Sequence, residues 1–213
     1  MSLILLSLVT ETGRRGVIYI YDEVRPFITH YSSPFCMSKL KKENIIFEKV
    51  DDQKNGQCRI FDAVRVRRIG ETKLSSPALM TCSLALSLNN WIEGLNRLSR
   101  QKIDSPIGKL HHQGTYNCRK QRGSPVLSEH AYANGIDIVG LTIGEKYYTI
   151  RDDWDEPNIG LFLRKSYDLA CSDFALVLGP PDDRSHRDHF HLDNGTYLGL
   201  TKLKCITEVG VRD

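Results

Sequence analysis

The sequence HRDHFHLD, at residues 186–193, decides how the fold and site are interpreted, and its last five residues alternate polar and apolar side chains. Because side chains of a β-strand point alternately to opposite faces, this pattern predicts a strand with Phe190 and Leu192 in the core. The opposite face would carry two imidazoles and a carboxylate, from His189, His191 and Asp193. The alternative is a solvated edge strand whose histidines merely alternate with core residues.

A second segment with potential metal ligands is SEHAYANGID, at residues 128–137. His130 and Asp137 offer a nitrogen and an oxygen from a glycine-containing loop that leads into a predicted strand. Catalytic zinc typically takes three protein ligands and keeps a fourth position open. One histidine of the pair His189 and His191 would complete that number. Alternatively, Asp137 serves only as a turn or cap residue and His130 is an ordinary loop residue.

The rest of the chain predicts a mixed fold. Apolar residues recur at intervals of three and four after Pro77, up to about Leu98, and again within residues 163–174, which indicates two helices with one buried face each. Short strands are predicted at 136–139, 146–150, 176–178 and 189–192. Helices followed by closely spaced strands favour one α+β domain, a small antiparallel sheet flanked by helices, over βαβ winding.

Composition limits the class of protein. The chain has 213 residues, 40% hydrophobic and 26% charged, which is typical of one globular domain with a sizeable core. A formal net charge of +3 does not indicate a nucleic-acid partner, although it is compatible with an anionic surface or polymer. Residues 3–9 form a short apolar run without a preceding basic residue, a poor signal peptide, and no run predicts a membrane-spanning segment.

The cysteines indicate the compartment. The sequence has no Cys-x-x-Cys pair, which disfavours a zinc ribbon, a redox dithiol or an iron–sulfur site. An even, well-spread number suits three disulfides in an oxidising compartment, and the alternative is six buried reduced thiols. The six candidates are Cys36, Cys58, Cys82, Cys118, Cys171 and Cys205.

Several motifs in one order resemble the bacterial extensin-like family, which is itself similar to zinc D-Ala-D-Ala metallopeptidases and murein endopeptidases. They are YNCR (116–119), LSEHA (127–131), IDI (136–138), LGP (178–180) and the residues 186–193. The resemblance covers about residues 36–205, which we take as the domain. It leaves residues 1–35 as an N-terminal extension, a candidate truncated export segment, and residues 206–213 as a tail.

The resemblance implies roles for individual residues. It implies that His130, Asp137 and His191 ligate Zn²⁺, that His189 acts as base or transition-state partner, and that Arg119 holds the oxyanion or a substrate carboxylate. The chain departs from the peptidase pattern in its ligand loop, where Ala133 and Gly135 stand at positions that the pattern gives as Gly and Ala. It also lacks a Glu-x-x-His base, which points to the endopeptidase branch.

Neighbouring residues are assigned supporting roles. Ser128 and Glu129 are expected to orient the ligand loop, since no base for a serine nucleophile is evident, and Asp193 either orients His191 or is a plain strand-end carboxylate. The family resemblance, which spans all six cysteines, and their even number motivate a Cys118–Cys171 disulfide as the leading pairing.

The function expected is that of a zinc-dependent peptidase acting on peptide cross-links of the bacterial cell wall, in the periplasm or outside the cell. Its partners would be peptidoglycan or cell-wall peptides. A non-catalytic, metal-containing wall-binding or structural protein is the competing class. A metal-dependent phosphodiesterase is a third reading, because His and Asp clusters also serve phosphate chemistry.

Overall fold

A computed structural model describes residues 11–25 and 35–195 of the protein. The described residues form five α-helices and a short 3₁₀ helix at Glu129–Tyr132. The α-helices are α1 (Glu11–Arg25), α2 (Phe35–Lys42), α3 (Cys82–Ile103), α4 (Ile150–Asp153) and α5 (Ile159–Ala170).

Ten strands accompany the helices. They are β1 (Ile45–Lys49), β2 (Gln53–Asn55), β3 (Cys58–Ile60), β4 (Ala63–Ile69), β5 (Thr72–Thr81), β6 (Ile107–Gly114), β7 (Gly135–Ile143), β8 (Lys146–Thr149), β9 (Leu176–Leu178) and β10 (Phe190–Asp193). Eight of them form one sheet in the order β1-β4-β5-β6-β7-β10-β9, with β8 paired to β7, while β2 and β3 form a separate hairpin. All pairs of the main sheet are antiparallel except β5–β6, which the long helix α3 connects.

Helix α3 packs its apolar side against one face of the sheet. Thr81 caps its N-terminus by accepting the Leu84 N–H, and the core contains side chains of α3, α5 and most strands. The Trp91 indole N–H donates to the Ser166 carbonyl at 2.9 Å and ties α3 to α5. The core side chains on β10 are Phe190 and Leu192, so His191 between them faces the other side of the sheet.

The α+β prediction is confirmed, and each predicted strand overlaps an observed one, with β9 matching at both ends. The sheet is larger than the small antiparallel sheet expected and contains one parallel pair. The second helix ends at Ala170, and Phe174 is buried in the segment that follows it. Pro77 lies within β5, not just before a helix.

Disulfides join Cys36 to Cys82 and Cys58 to Cys118. Cys171 is also disulfide-bonded, its partner lies outside the described residues, and no cysteine within them is free. The predicted Cys118–Cys171 pairing is therefore wrong. Cys118 lies beside the β2–β3 hairpin, where its sulfur is 3.5 Å from the Asn55 carbonyl oxygen, whereas Cys171 follows the end of α5.

Helix α1 contacts the segment that contains His130. The buried carboxylate of Asp22 accepts the Leu127 N–H at 3.2 Å and the Tyr132 hydroxyl at 3.3 Å. Part of the predicted N-terminal extension thus packs on the domain, while the apolar run 3–9, Cys205 and the tail 206–213 lie outside the described residues. None of the described helices combines the length and apolar character required to cross a bilayer.

Candidate metal centre

Three predicted ligands converge on one point of the sheet. The Nε2 atom of His130 lies 3.2 Å from Asp137 Oδ1 and 3.1 Å from His191 Nδ1. The Nδ1 atom of His191 lies 3.0 Å from the same Asp137 oxygen. These residues form the one group within the described ranges whose ligand atoms could hold a metal ion together. We call it the His₂Asp cluster.

Each residue of the His₂Asp cluster is held by a different element. Asp137 and His191 are direct partners across β7 and β10, so their side chains emerge next to each other on the same face. His130 lies on the 3₁₀ helix, whose first turn is capped by the Ser128 hydroxyl through the His130 N–H. The sequence separates these residues by up to 61 positions, and the antiparallel register brings them together.

The outer ring nitrogens determine which inner nitrogens carry a lone pair. His130 Nδ1 is 3.1 Å from the Thr115 carbonyl oxygen, and His191 Nε2 is 2.8 Å from Asp193 Oδ2. Both oxygens accept hydrogen bonds, so these nitrogens carry the proton in each neutral ring. The inner nitrogens then direct lone pairs at each other and at a carboxylate oxygen. Such an arrangement requires a cation, either a proton or a metal ion, at its centre.

Charge and burial shift the pKa values in the cluster. Burial alone would lower the pKa of His191, but hydrogen bonds to Asp137 and Asp193 outweigh burial and raise it to about 10. Burial alone would raise the pKa of Asp137, but hydrogen bonds from His130 and His191 hold it far below its usual range. The cluster thus favours positive charge at its centre and an ionised carboxylate beside it.

The donor set and its spacing fit zinc. A tetrahedral zinc ion with ligands at about 2.0–2.1 Å has ligand–ligand separations of about 3.3 Å. The three separations in the cluster are 3.0–3.2 Å. Two imidazoles and one carboxylate form a catalytic type of zinc shell, and hydrogen bonds from each imidazole to a carbonyl or carboxylate oxygen are the usual support of metal-bound histidines.

His189 lies beside the cluster without being part of it. Its Nε2 is 3.8 Å from Asp137 Oδ1, and its Nδ1 is hydrogen-bonded to Asp188 Oδ1 at 2.8 Å. The second oxygen of Asp188 accepts from Arg151 at 2.8 Å. Because the Asp188 carboxylate accepts a hydrogen bond from Nδ1–H, the Nε2 atom of neutral His189 is left with a lone pair on the side of the cluster.

The His₂Asp cluster opens into a cleft of about 690 Å³, within the size range of small-molecule sites. Arg119, Arg122, Ser185 and His186 also line this cleft. The Arg122 guanidinium donates to the Ser185 hydroxyl at 2.9 Å. Arg119 is exposed, and its guanidinium donates to the Lys120 carbonyl at 3.2 Å.

Glu129 belongs to a buried polar network behind the ligand loop. Its Oε2 accepts from the side-chain amide of Asn134 at 2.8 Å, and the side-chain oxygen of Asn134 accepts from the Thr81 hydroxyl at 2.9 Å. Glu129 is 1% exposed, although it contributes to the lining of the cleft. These contacts join the loop to Thr81, which caps the N-terminus of α3.

The two departures in the ligand loop have structural counterparts. Ala133 ends the 3₁₀ helix at a φ of 54°, in the left-handed region that favours glycine. Gly135 lies against the cluster, where an added Cβ atom would come within 3.3 Å of His191 Cε1. The glycine therefore leaves room for the His191 ring. The alanine introduces backbone strain at the C-terminal end of the 3₁₀ helix that carries His130.

Sequence reasoning missed three contributors to the site. Thr115, Asp188 and Arg151 support His130 and His189, as described above. The role of Asp188 could have been inferred from the sequence, since Asp188 directly precedes His189. The role of Arg151 could not, because its contact with Asp188 depends on where β8 ends relative to the start of β10. The Thr115 contact uses a backbone carbonyl, which residue identity does not reveal.

The fold and the cluster define the class: an α+β protein with a His₂Asp group in a surface cleft. In a comparison with models of protein families, residues 34–203 match the family described as extensin-like protein C-terminus. The chain belongs to this family. No curated protein and no solved structure matches the chain.

Proposed function

We propose that the protein is a zinc-dependent peptidase that hydrolyses peptide cross-links of the bacterial cell wall. The observation that carries the proposal is the convergence of three lone-pair donors in the His₂Asp cluster, each imidazole oriented by an oxygen on its far side. His130, Asp137 and His191 would hold the ion. When bound, zinc supplies polarisation of an amide carbonyl and activation of a water molecule.

The residues around the ion would handle the proton. His189 presents Nε2 towards the cluster, while Asp188 holds the opposite nitrogen protonated. His189 can therefore accept a proton at Nε2 and return it to the leaving amine. Asp188 and Arg151 act through His189, and we assign them positioning roles.

Arg119 would bind substrate. Its exposed guanidinium lies on the cleft wall, where it can donate to a carbonyl or carboxylate oxygen of a bound peptide. The two described disulfides and the bonded Cys171 are consistent with an oxidising compartment. We accordingly propose that the protein acts in the periplasm or outside the cell.

The proposal is tested with the variant His189→Ala. We expect this variant to retain one zinc ion per chain and to release muropeptides from purified peptidoglycan about 10²–10⁴-fold more slowly than the wild type. His112→Ala is the matched control, because His112 is hydrogen-bonded to the Ser76 carbonyl and does not line the cleft. It should hydrolyse at the wild-type rate.

Each alternative gives a different result. Muropeptide release at the wild-type rate by zinc-loaded His189→Ala would remove His189 from the mechanism. If neither protein releases muropeptides but both are retained on peptidoglycan, the protein is a metal-containing wall-binding protein. Zinc content equal to wild type in His130→Ala, Asp137→Ala and His191→Ala would refute the ligand assignment, because a three-ligand site has no spare protein ligand.

A further inference from the structure

Three cations occupy one row across the main sheet. Arg68 of β4 is the direct partner of Lys73 of β5, and Lys73 is the direct partner of Lys109 of β6. Partners across a sheet share a face, so the three side chains lie side by side. Their neighbours Ile69, Leu74 and Leu110 are buried, which places the cations on the face opposite α3. We call these three residues the basic row.

Like charges on directly opposed strand residues destabilise a sheet. An ion pair with an intervening carboxylate would reduce this repulsion. Within the described residues, Arg68, Lys73 and Lys109 form no ion pair. The nearby Glu48 on β1 is instead bonded to Arg67 at 2.7 Å. The Nε atom of Arg68 is buried without a hydrogen-bond partner. Among the residues that the structure describes, no carboxylate compensates the positive charge of the row, so an external anion could neutralise it.

The basic row and the His₂Asp cluster share one face of the sheet. Lys109 is the partner of Thr142 on β7, and both Thr142 and Asp137 alternate with core residues of that strand. They are five positions apart and still share a face, because the register between β6 and β7 shifts between Ile138 and Gly140. This separation corresponds to roughly 17 Å at about 3.3 Å per residue. A ligand that contacts both features must therefore be an extended polymer, since a single amino acid or dipeptide is too short.

We propose that the basic row is an anchoring surface for the carboxylate groups of peptidoglycan, which holds the polymer while a neighbouring cross-link enters the cleft. The inference rests on the proposed function for the identity of the polymer. Charge complementarity is its basis, because stem peptides of peptidoglycan carry carboxylates at intervals along an extended chain. The contribution of each exposed cation is small, so the row acts through its three members together.

The experiment compares two variants of equal charge in a pelleting assay with insoluble peptidoglycan freed of teichoic acids. The first is Arg68→Gln/Lys73→Gln/Lys109→Gln. The control, Lys41→Gln/Lys102→Gln/Lys165→Gln, removes three exposed cations from helices α2, α3 and α5. All proteins are stripped of zinc, so that binding is measured without hydrolysis.

We expect the basic-row variant to bind on the order of tenfold more weakly than wild type and with a shallower salt dependence. Its melting temperature should be unchanged or higher, because like-charge repulsion is removed. The control should bind as wild type. Equal binding by the basic-row variant, or an equal loss in the control, would overturn the proposal.

A second arm tests the ligand chemistry. Peptidoglycan whose carboxylates have been amidated should bind the wild type as weakly as untreated peptidoglycan binds the basic-row variant. Undiminished binding to the amidated polymer, or stronger binding to inorganic polyphosphate than to peptidoglycan, would overturn the choice of carboxylates. If zinc-loaded wild type releases no muropeptides while row-dependent binding persists, the proposed peptidase function fails and the anchoring surface stands.

Discussion

Replacing Asp193 by Asn should weaken zinc binding without changing any ligand. Asp193 is completely buried and divides its oxygens between two donors: Oδ2 accepts from His191 Nε2 at 2.8 Å, and Oδ1 accepts from the Gly195 N–H at 2.8 Å. An asparagine side chain offers one acceptor oxygen and one donor group in the same space. It cannot satisfy both donors, so either the tautomer of His191 or the loop at Gly195 loses its support.

The expected loss of zinc affinity follows from the position of Asp193 behind the proposed ligand His191. Loss of an orienting partner behind a metal ligand typically weakens metal affinity about 10–100-fold, or roughly 1.4–2.7 kcal/mol. Asp183→Asn is the control at a second carboxylate that faces the same two kinds of donor: Asp183 Oδ1 accepts from His186 Nδ1 at 2.9 Å and from the Ser185 N–H at 2.7 Å. His186 is not part of the His₂Asp cluster, so this variant should bind zinc as wild type does.

Competition with a chromophoric chelator measures the zinc affinity, and the visible spectrum of the Co²⁺-substituted protein reports ligand geometry. The melting temperature of the zinc-free proteins separates a general loss of stability from a local loss of orientation. Zinc affinity within about threefold of wild type in Asp193→Asn would refute the orienting role, since that change is below the range expected for such partners.

Three other substitutions test separate features. Ala133→Gly should raise the free energy of unfolding by about 1 kcal/mol, because glycine adopts the left-handed conformation without strain, and urea unfolding would show it. Asp22→Ala should lower that free energy by about 1–3 kcal/mol, measured in the same way, since the Leu127 N–H loses a buried acceptor. Hydrogen bonds from His189 and Arg151 lower the pKa of Asp188, so its ionised form contributes stability above its ordinary pKa of 3.8 that is lost as pH falls through the lowered folded-state value. The stability difference between wild type and Asp188→Asn should therefore shrink in acid, and a difference that is constant from pH 6 to pH 2 would contradict this assignment.

Strand alternation and helical periodicity predicted the second half of the fold, because those elements bury one apolar face each. The strands β1 to β6 were not predicted. Arg65, Arg67 and Arg68 give β4 the composition of a polar segment, although the neighbouring Val64 and Val66 are fully buried. Charges on an open sheet face obscure the period that identifies a strand.

The candidate ligands could be selected from the sequence because two motifs supplied complementary donors. Their convergence could not be derived from spacing, since it depends on the register that pairs Asp137 with His191. The disulfide partner of Cys118 was missed for a related reason: the pairing depends on how the β2–β3 hairpin folds beside the loop after β6. Long-range register and loop packing are properties of the whole sheet, which local patterns do not encode.

One edge of strand β7 pairs with two different strands: its first half is hydrogen-bonded to β10 and its second half to β8. Gly140 pairs with Thr149 near this division, and an added Cβ atom there would clash with the Tyr148 carbonyl oxygen. The two pairings share no hydrogen bond, so they can open as separate cooperative units. We expect amide hydrogens of β8 to exchange with solvent at a rate independent of zinc, while those linking β7 to β10 become slower to exchange when the metal is bound.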